Sequence, residues 1–175
     1  MMASTADYTE PSGLIPALSD QLDEIEALVK EAFHEYALSI GQMEAGPFDY
    51  LADAISEGRV YVYTTLHHIR GVIVLAPERD PTRLILQLIA VAKDEQGQGI
   101  GTALMEGVLA LGRRHFAKYV ELWTAAHRTE LVAFYSRLGF VVTRVGPPAH
   151  GRDAFPRVTM EYNLQDTSGA GNHGL

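Results

Sequence analysis

Three glycines stand at alternate positions, Gly97, Gly99 and Gly101, in the stretch VAKDEQGQGIGTALMEG over residues 91–107. Ahead of them runs the apolar segment LILQLIAVA (84–92), and behind them Ile100, Leu104, Val108 and Leu111 recur at helical spacing. A strand, a glycine-rich turn and a helix in that order suit a phosphate. The first N–H groups of a helix have no partner inside it, and the aligned peptide dipoles add partial positive charge there. Glycine lets the backbone come close to a ligand and adopt positive φ. The plainer alternative is a tight turn whose glycines only permit the bend.

The spacing narrows the ligand. A P-loop requires Gly-Lys before its Ser or Thr, and no Gly-Lys occurs here. A dinucleotide fingerprint G-x-G-x-x-G begun at Gly97 or Gly99 would end on Thr102 or Leu104, which are not glycine. The pattern that fits is Q-x-x-G-x-G, Gln96-Gly97-Gln98-Gly99-Ile100-Gly101. In LIAVAKDEQGQGIGTALM it resembles the acyl-CoA-binding motif of the GNAT N-acetyltransferase superfamily. LVAFYSRLGFVV (131–142) resembles the family's tyrosine and Gly-Phe segment, and LIPALSDQLDEIEALVKEAF resembles its first strand and helix. The resemblance covers residues 13–164 in the family's order.

That resemblance implies a sheet splayed between the strand ending at Val91 and the strand over Tyr119–Thr124. Acetyl-CoA would be the cosubstrate, with its pantetheine arm on Ile89, Ala90 and Val91. Its pyrophosphate would lie against the amides of Gln96, Gly97, Gln98, Gly99, Ile100, Gly101 and Thr102. Tyr135 matches the family tyrosine that assists the departing thiolate as a general acid, although it also fits the core face of its helix. Two positions depart from the family pattern. Gln87 stands four residues before Val91, where many relatives carry a glutamate, and glutamine holds a water but cannot act as a base. Arg128 stands seven residues before Tyr135, where an asparagine is common; it could meet the CoA phosphates or serve as a surface charge. These departures motivate a second reading, a CoA-binding sensor that has lost turnover. A nucleotide-binding protein using the same loop is a third, disfavoured by the failed patterns above.

An amine is mostly protonated at neutral pH, so a base or a water path is needed. His127, just after the Trp123 strand, and His150, in GPPAHGRDAFP, have the right intrinsic titration range. Glu44 and Glu121 are the acidic alternatives. His67 and His68 sit at a hairpin turn and read as surface. The acceptor pocket implied by the resemblance nominates Phe33, Tyr36, Met43, Glu44, Phe48, Gln87, Trp123 and His150. Phe33 and Tyr36 fit core packing equally well, and Glu44 could be a solvated loop acid. No pair has metal-ligand spacing, so no metal is expected.

These groups need a scaffold, and the periodicity supplies one. GLIPAL (13–18) reads as a strand, with Ser19 or Asp20 placed to cap the helix that follows. Leu22, Ile25, Leu28, Val29, Ala32, Phe33 and Tyr36 make one helical face, and a second short helix lies near 48–56. RVYVYTTL (59–66) and HHIRGVIVLA (67–76) form a hairpin, and LILQLIAVA reads as a strand buried on both faces. KYVELWT, a helix ending at Gly139, FVVTRV and RVTMEYNL complete the order β-α-α-β-β-β-α-β-α-β-β. The fold class is therefore α/β of the α+β type. The family implies a mixed, mostly antiparallel sheet of seven strands flanked by four helices.

Composition sets the outer bounds. The 175 residues suit one domain, expected over 1–164 with a disordered tail at 165–175, and residues 1–12 read as a loose lead-in. With no cysteine, disulfides, thiolate metal sites and a cysteine nucleophile are excluded, so any thiol arrives on a cofactor. The net charge of −8 with no basic cluster argues against nucleic acid and leans toward a cationic amine acceptor, small molecule or peptide. No apolar run spans a membrane and no basic leader opens the chain, so a cytoplasmic protein is expected. A homodimer is plausible from the family alone.

Overall fold

The computed structural model describes residues 13–148 and 153–166. Its elements run β1 (Leu14–Pro16), α1 (Leu22–Ser39), α2 (Leu51–Ser56), β2 (Val60–Thr65), β3 (His68–Leu75), β4 (Arg83–Val91), α3 (Ile100–Arg114), β5 (Tyr119–Ala125), α4 (Thr129–Arg137), β6 (Val141–Gly146) and β7 (Arg157–Asn163). This is the order read from periodicity. The strands hydrogen-bond as a seven-stranded sheet in the order β1-β2-β3-β4-β5-β7-β6. The chain forms two compact units, the first comprising residues up to Val74 with Ile89–Gly107, the second Leu75–Leu88 with Val108 onward. The expected lead-in and most of the expected tail lie outside the described residues. Among those described, no helix is long and apolar enough to cross a membrane.

In the first unit, β1 pairs antiparallel with β2, and β2 with β3. The β2–β3 turn places Leu66 at φ 49° and His67 at φ 65°, the positive values that let a two-residue turn match strand twist. Both side chains, and that of His68, are exposed, as expected for a hairpin tip. Ile25, Leu28 and Val29 of α1 are buried, as are Val60, Val62 and Val72 of the strands. A Cβ on Gly71 of β3 would lie 2.8 Å from Leu104 Cδ1, so glycine is what lets the start of α3 lie close on this strand. The helix start differs from expectation. Ser19 and Asp20 fall in a 3-10 turn over Ser19–Gln21, and no side chain caps α1. The turn does that work instead: the N–H of Leu22, the first residue of α1, donates to Ser19 O, and the turn itself is closed by Gln21 N–H to Leu18 O at 3.0 Å and Leu18 N–H to Gln21 Oε1 at 2.9 Å.

In the second unit, β5 and β7 pair antiparallel along their whole length, from Tyr119↔Asn163 to Ala125↔Arg157. β6 lies on the outside of β7, with a register shift between Val142 and Arg144. β4 runs parallel to β5 for three residues only, Arg83↔Tyr119 to Ile85↔Glu121. Past Ile85 the β5 register stops, while β5 itself continues against β7. The burial pattern of β4 corrects one expectation. Leu86, Leu88 and Ala90 are buried, but Ile85, Gln87, Ile89 and Val91 on the alternate face are only half-buried. Ile85 is still paired with β5 yet is half-buried like Gln87, so it is cover over the face, and not a partner at the edge, that is incomplete.

Candidate functional site

The glycine-rich turn lies wholly in the first unit. Ala92 N–H donates to Arg70 O at 2.9 Å, and Glu95 N–H to Ala92 O at 2.9 Å, closing a 3-10 turn over Lys93–Glu95. Beyond it, among the described residues, the seven consecutive N–H groups from Gln96 to Thr102 make no hydrogen bond of good geometry to a carbonyl or side chain. Helical bonding resumes at Ala103, whose N–H reaches Gly99 O at 3.1 Å. Gly97 has φ 79° and Gly99 φ 85°, and nothing lies within 4 Å of where a Cβ would stand on either. These two glycines serve the path of the backbone and not a lack of room. Gly101 differs, lying in the first turn of α3 without positive φ.

The two glutamines brace the turn. Gln96 Nε2 donates to Val91 O at 3.3 Å and Gln98 Nε2 to Asp94 O at 3.4 Å. Their side chains occupy carbonyls and leave the loop amides aimed elsewhere. Sequence reasoning missed two further braces. Arg70 Nη1 pairs with Glu95 at 2.9 Å, and Lys93 Nζ lies 3.7 Å from Glu35 of α1. The available signal was a single arginine inside the otherwise apolar strand HIRGVIVL. Ile89 and Val91, expected to face the pantetheine, are half-buried, and Ala90 between them is buried.

Tyr135 belongs to the second unit, on α4, which ends at Gly139 with φ 101°. Its ring packs edge-on against Phe134 at 5.2 Å and Phe140 at 6.0 Å between centroids, and the residue is 5% exposed. Burial pushes the phenol up to about 12, with Arg128 pulling slightly the other way. Among the described residues nothing is hydrogen-bonded to its hydroxyl, and no fully buried side-chain polar atom lacks a partner. The hydroxyl is therefore at the edge of the buried cluster, protonated and uncommitted. Such a group can give a proton near neutral pH but cannot take one.

The other nominated residues are placed as follows. Arg128 opens α4, its carbonyl accepting from Leu131 N–H at 3.0 Å, and its guanidinium is paired with Glu130, whose carboxyl this bond holds below the usual range. His127 is exposed and lies against Phe155 with ring centroids 3.8 Å apart. Trp123 is 39% exposed, with the Arg157 guanidinium 6.0 Å from its ring centroid. Gln87 is half-buried on β4. Glu121 accepts from Arg83 at 2.9 Å, a tie that a free base would lack. In the first unit, Glu44 and Met43 are exposed, while half-buried Phe33 and Phe48 stack at 6.2 Å. His150 lies outside the described residues. Among those described, no group of three or more His, Cys, Asp or Glu could hold a metal ion.

The segment leading into β7 carries its own fastening. Asp153, its side chain 3% exposed, takes Arg157 in a two-pronged pair at 2.9 and 2.7 Å and also accepts Phe155 N–H at 3.0 Å. Replacing Asp153 by Asn keeps the shape and removes the charge. The expected result is a loss of about 1.5 kcal/mol, read as a fall of about 3–6 °C in thermal midpoint. An unchanged midpoint would show that the fork contributes nothing to stability.

Comparison with known proteins agrees with this architecture. The Acetyltransferase (GNAT) domain family matches residues 56–142. An uncharacterized N-acetyltransferase of Methanocaldococcus jannaschii is 38% identical over 52 residues, a stretch that spans 30% of this chain and 23% of that protein. Ard1 from Thermoplasma volcanium superposes with a TM-score of 0.70 at 22% identity, covering 86% of this chain and 95% of that one. The ribosomal-protein-S18-alanine N-acetyltransferase of Escherichia coli gives 0.68 at 17%, over 93% and 97%. A GNAT family acetyltransferase from Elizabethkingia anophelis, solved with acetyl-CoA bound, gives 0.59 at 22%, over 67% and 83%. The glycine-rich turn and Tyr135 both fall inside the matched residues, and with the strand order they make this chain a member of the GNAT acetyltransferase superfamily.

Proposed function

We propose that the protein is an N-acetyltransferase that moves acetyl from acetyl-CoA to a primary amine by direct attack within a ternary complex, both units together forming one acetyltransferase domain. The observation that carries this reading is the run of seven unpaired amides from Gln96 to Thr102. Amides in sequence at a helix start suit a diphosphate, and a loop braced from behind by its own glutamines offers them without rearrangement. The edge of β4 over Ile89–Val91 is the proposed seat of the pantetheine arm, which can pair there as an extended chain. Tyr135 gives its proton to the departing thiolate as the new C–N bond forms and the C–S bond breaks. The amine's proton leaves through His127 or His150, with a water held near Gln87. Glu44 and Trp123 are the proposed acceptor contacts, and Arg128, released from Glu130, is available to the cofactor.

Thermal unfolding with acetyl-CoA, CoA, ATP and NADH added separately tests the cradle. Ligand at about 100 times its Kd adds roughly 2.7 kcal/mol, a rise of about 5–10 °C for a chain of this size. The expected result is a rise with acetyl-CoA and with CoA. No rise with either at millimolar concentration would overturn the reading, and a rise with ATP or NADH alone would assign the turn to a different ligand.

A further inference from the structure

Glu121 of β5 and Glu161 of β7 stand directly opposite each other in an antiparallel pair, on the same face of the sheet. Like charges so placed repel. Arg83 Nη1 donates to both carboxylates, to Glu121 at 2.9 Å and to Glu161, and its guanidinium lies 5.0 Å from the Tyr119 ring centroid. All three charged side chains are partly shielded, at 33%, 22% and 19% exposed for Arg83, Glu121 and Glu161. One cation from β4 thus bridges two strands that would otherwise carry an uncompensated pair of anions.

Its place in the register gives this bridge a further meaning. The parallel pairing of β4 and β5 starts at Arg83↔Tyr119 and ends at Ile85↔Glu121. The preceding turn is fastened as well: Lys118 N–H and Tyr119 N–H donate to Thr82 O at 2.7 and 3.1 Å, and Asp80 accepts from both Thr82 N–H and its hydroxyl. Among the described residues, the β4–β5 register and the backbone bonds that precede it lie at or before Ile85. Arg83 reaches to the last paired residue, Glu121, and so grips the strand junction at the point where it opens.

We propose that Arg83 is a positioning residue: it sets the residue at which β4 parts from β5, and so the length of β4 backbone left open to an extended ligand. The part concerning the ligand rests on the acetyl-CoA reading above; the part concerning the strands does not. Without the bridge, repulsion between Glu121 and Glu161 weakens the β5–β7 pair, and the three-residue β4–β5 junction loses its side-chain anchor. The opening then extends back toward Arg83, and a chain paired on β4 loses a defined start.

Three variants separate positioning from plain stabilisation. Arg83→Met removes the bridge; Arg83→Met with Glu161→Gln also removes the repulsion; Arg83→Lys restores a cation. Hydrogen exchange at Leu84–Leu86 is read together with steady-state kinetics. The expected result for the double variant is a thermal midpoint restored toward wild type, but amides at Leu84–Leu86 exchanging about tenfold faster. Its KM for acetyl-CoA rises about three- to tenfold with kcat little changed, and Arg83→Lys recovers much of both. A double variant with wild-type exchange and wild-type KM would overturn the proposal and leave Arg83 as charge compensation alone. If the wild type fails to bind acetyl-CoA, the functional reading falls by itself, and the exchange data still decide what Arg83 does to the strands.

Discussion

Tyr135→Phe is expected to lower kcat by about 100- to 1000-fold while leaving the KM for acetyl-CoA within about twofold. The ring stays, so its packing on Phe134 and Phe140 stays, and only the hydroxyl is lost. That hydroxyl makes no bond to any described residue, so its removal strands no partner and costs little stability. The pH dependence follows from the sign of the shift. With the phenol pushed up to about 12, it stays protonated across the neutral and moderately alkaline range. Wild-type kcat should therefore show no fall between pH 7 and about pH 10 that the Phe variant abolishes. Stopped assays of thiol release, with binding measured separately, give both numbers. Unchanged turnover in the variant would remove Tyr135 from the chemistry, and unchanged cofactor binding without turnover in wild type would favour a CoA-binding sensor.

The second large effect is expected at the turn. Gly97→Val with Gly99→Val asks two β-branched residues to hold positive φ, at about 1–2 kcal/mol each. Neither side chain meets a neighbour, so the unliganded protein escapes the strain by letting the exposed loop relax and keeps its thermal midpoint. Binding must then restore the strained path. Affinity for CoA should fall about 30-fold to nearly 1000-fold, and the midpoint rise seen with wild type should vanish at the same ligand concentration. A variant that binds CoA as wild type does would show that these amides are not the cradle.

Much of the scaffold was legible because its signals are local. The β-branched and aromatic runs VYVYTT and HIRGVIVL, the helical recurrence of Ile100, Leu104, Val108 and Leu111, and the Gly139 stop each depend on residues close in sequence. The glycine pattern was legible for the same reason, although it implied three alike where the structure uses two for positive φ and one inside the helix. What stayed hidden depends on distant partners. Arg83 meets Glu121 and Glu161 from 38 and 78 residues away, so a glutamate that looked like a candidate base was a bridged anion. The half-exposed face of β4 depends on what packs over it, and no run of apolar residues reports that. Ser19 and Asp20 misled because a 3-10 turn can replace a side-chain cap. His127 was placed beside the right strand, but its stacking on Phe155 depends on a loop with no sequence periodicity.

The turn from Gln96 to Thr102 presents peptide N–H groups, and in the seven residues there is no lysine or arginine. A polyanion held by fixed cations is released as counterions compete for them, so its grip weakens with ionic strength. Neutral dipoles at short range have no such competitor. In a chain of net charge −8 the long-range field repels an anion, and added salt screens that repulsion while leaving the short-range dipoles untouched. On the acetyl-CoA reading proposed above, a diphosphate held by these amides alone would dissociate at a rate nearly indifferent to salt and be met faster as salt is added, so any salt dependence of dissociation would report the Arg128 contact.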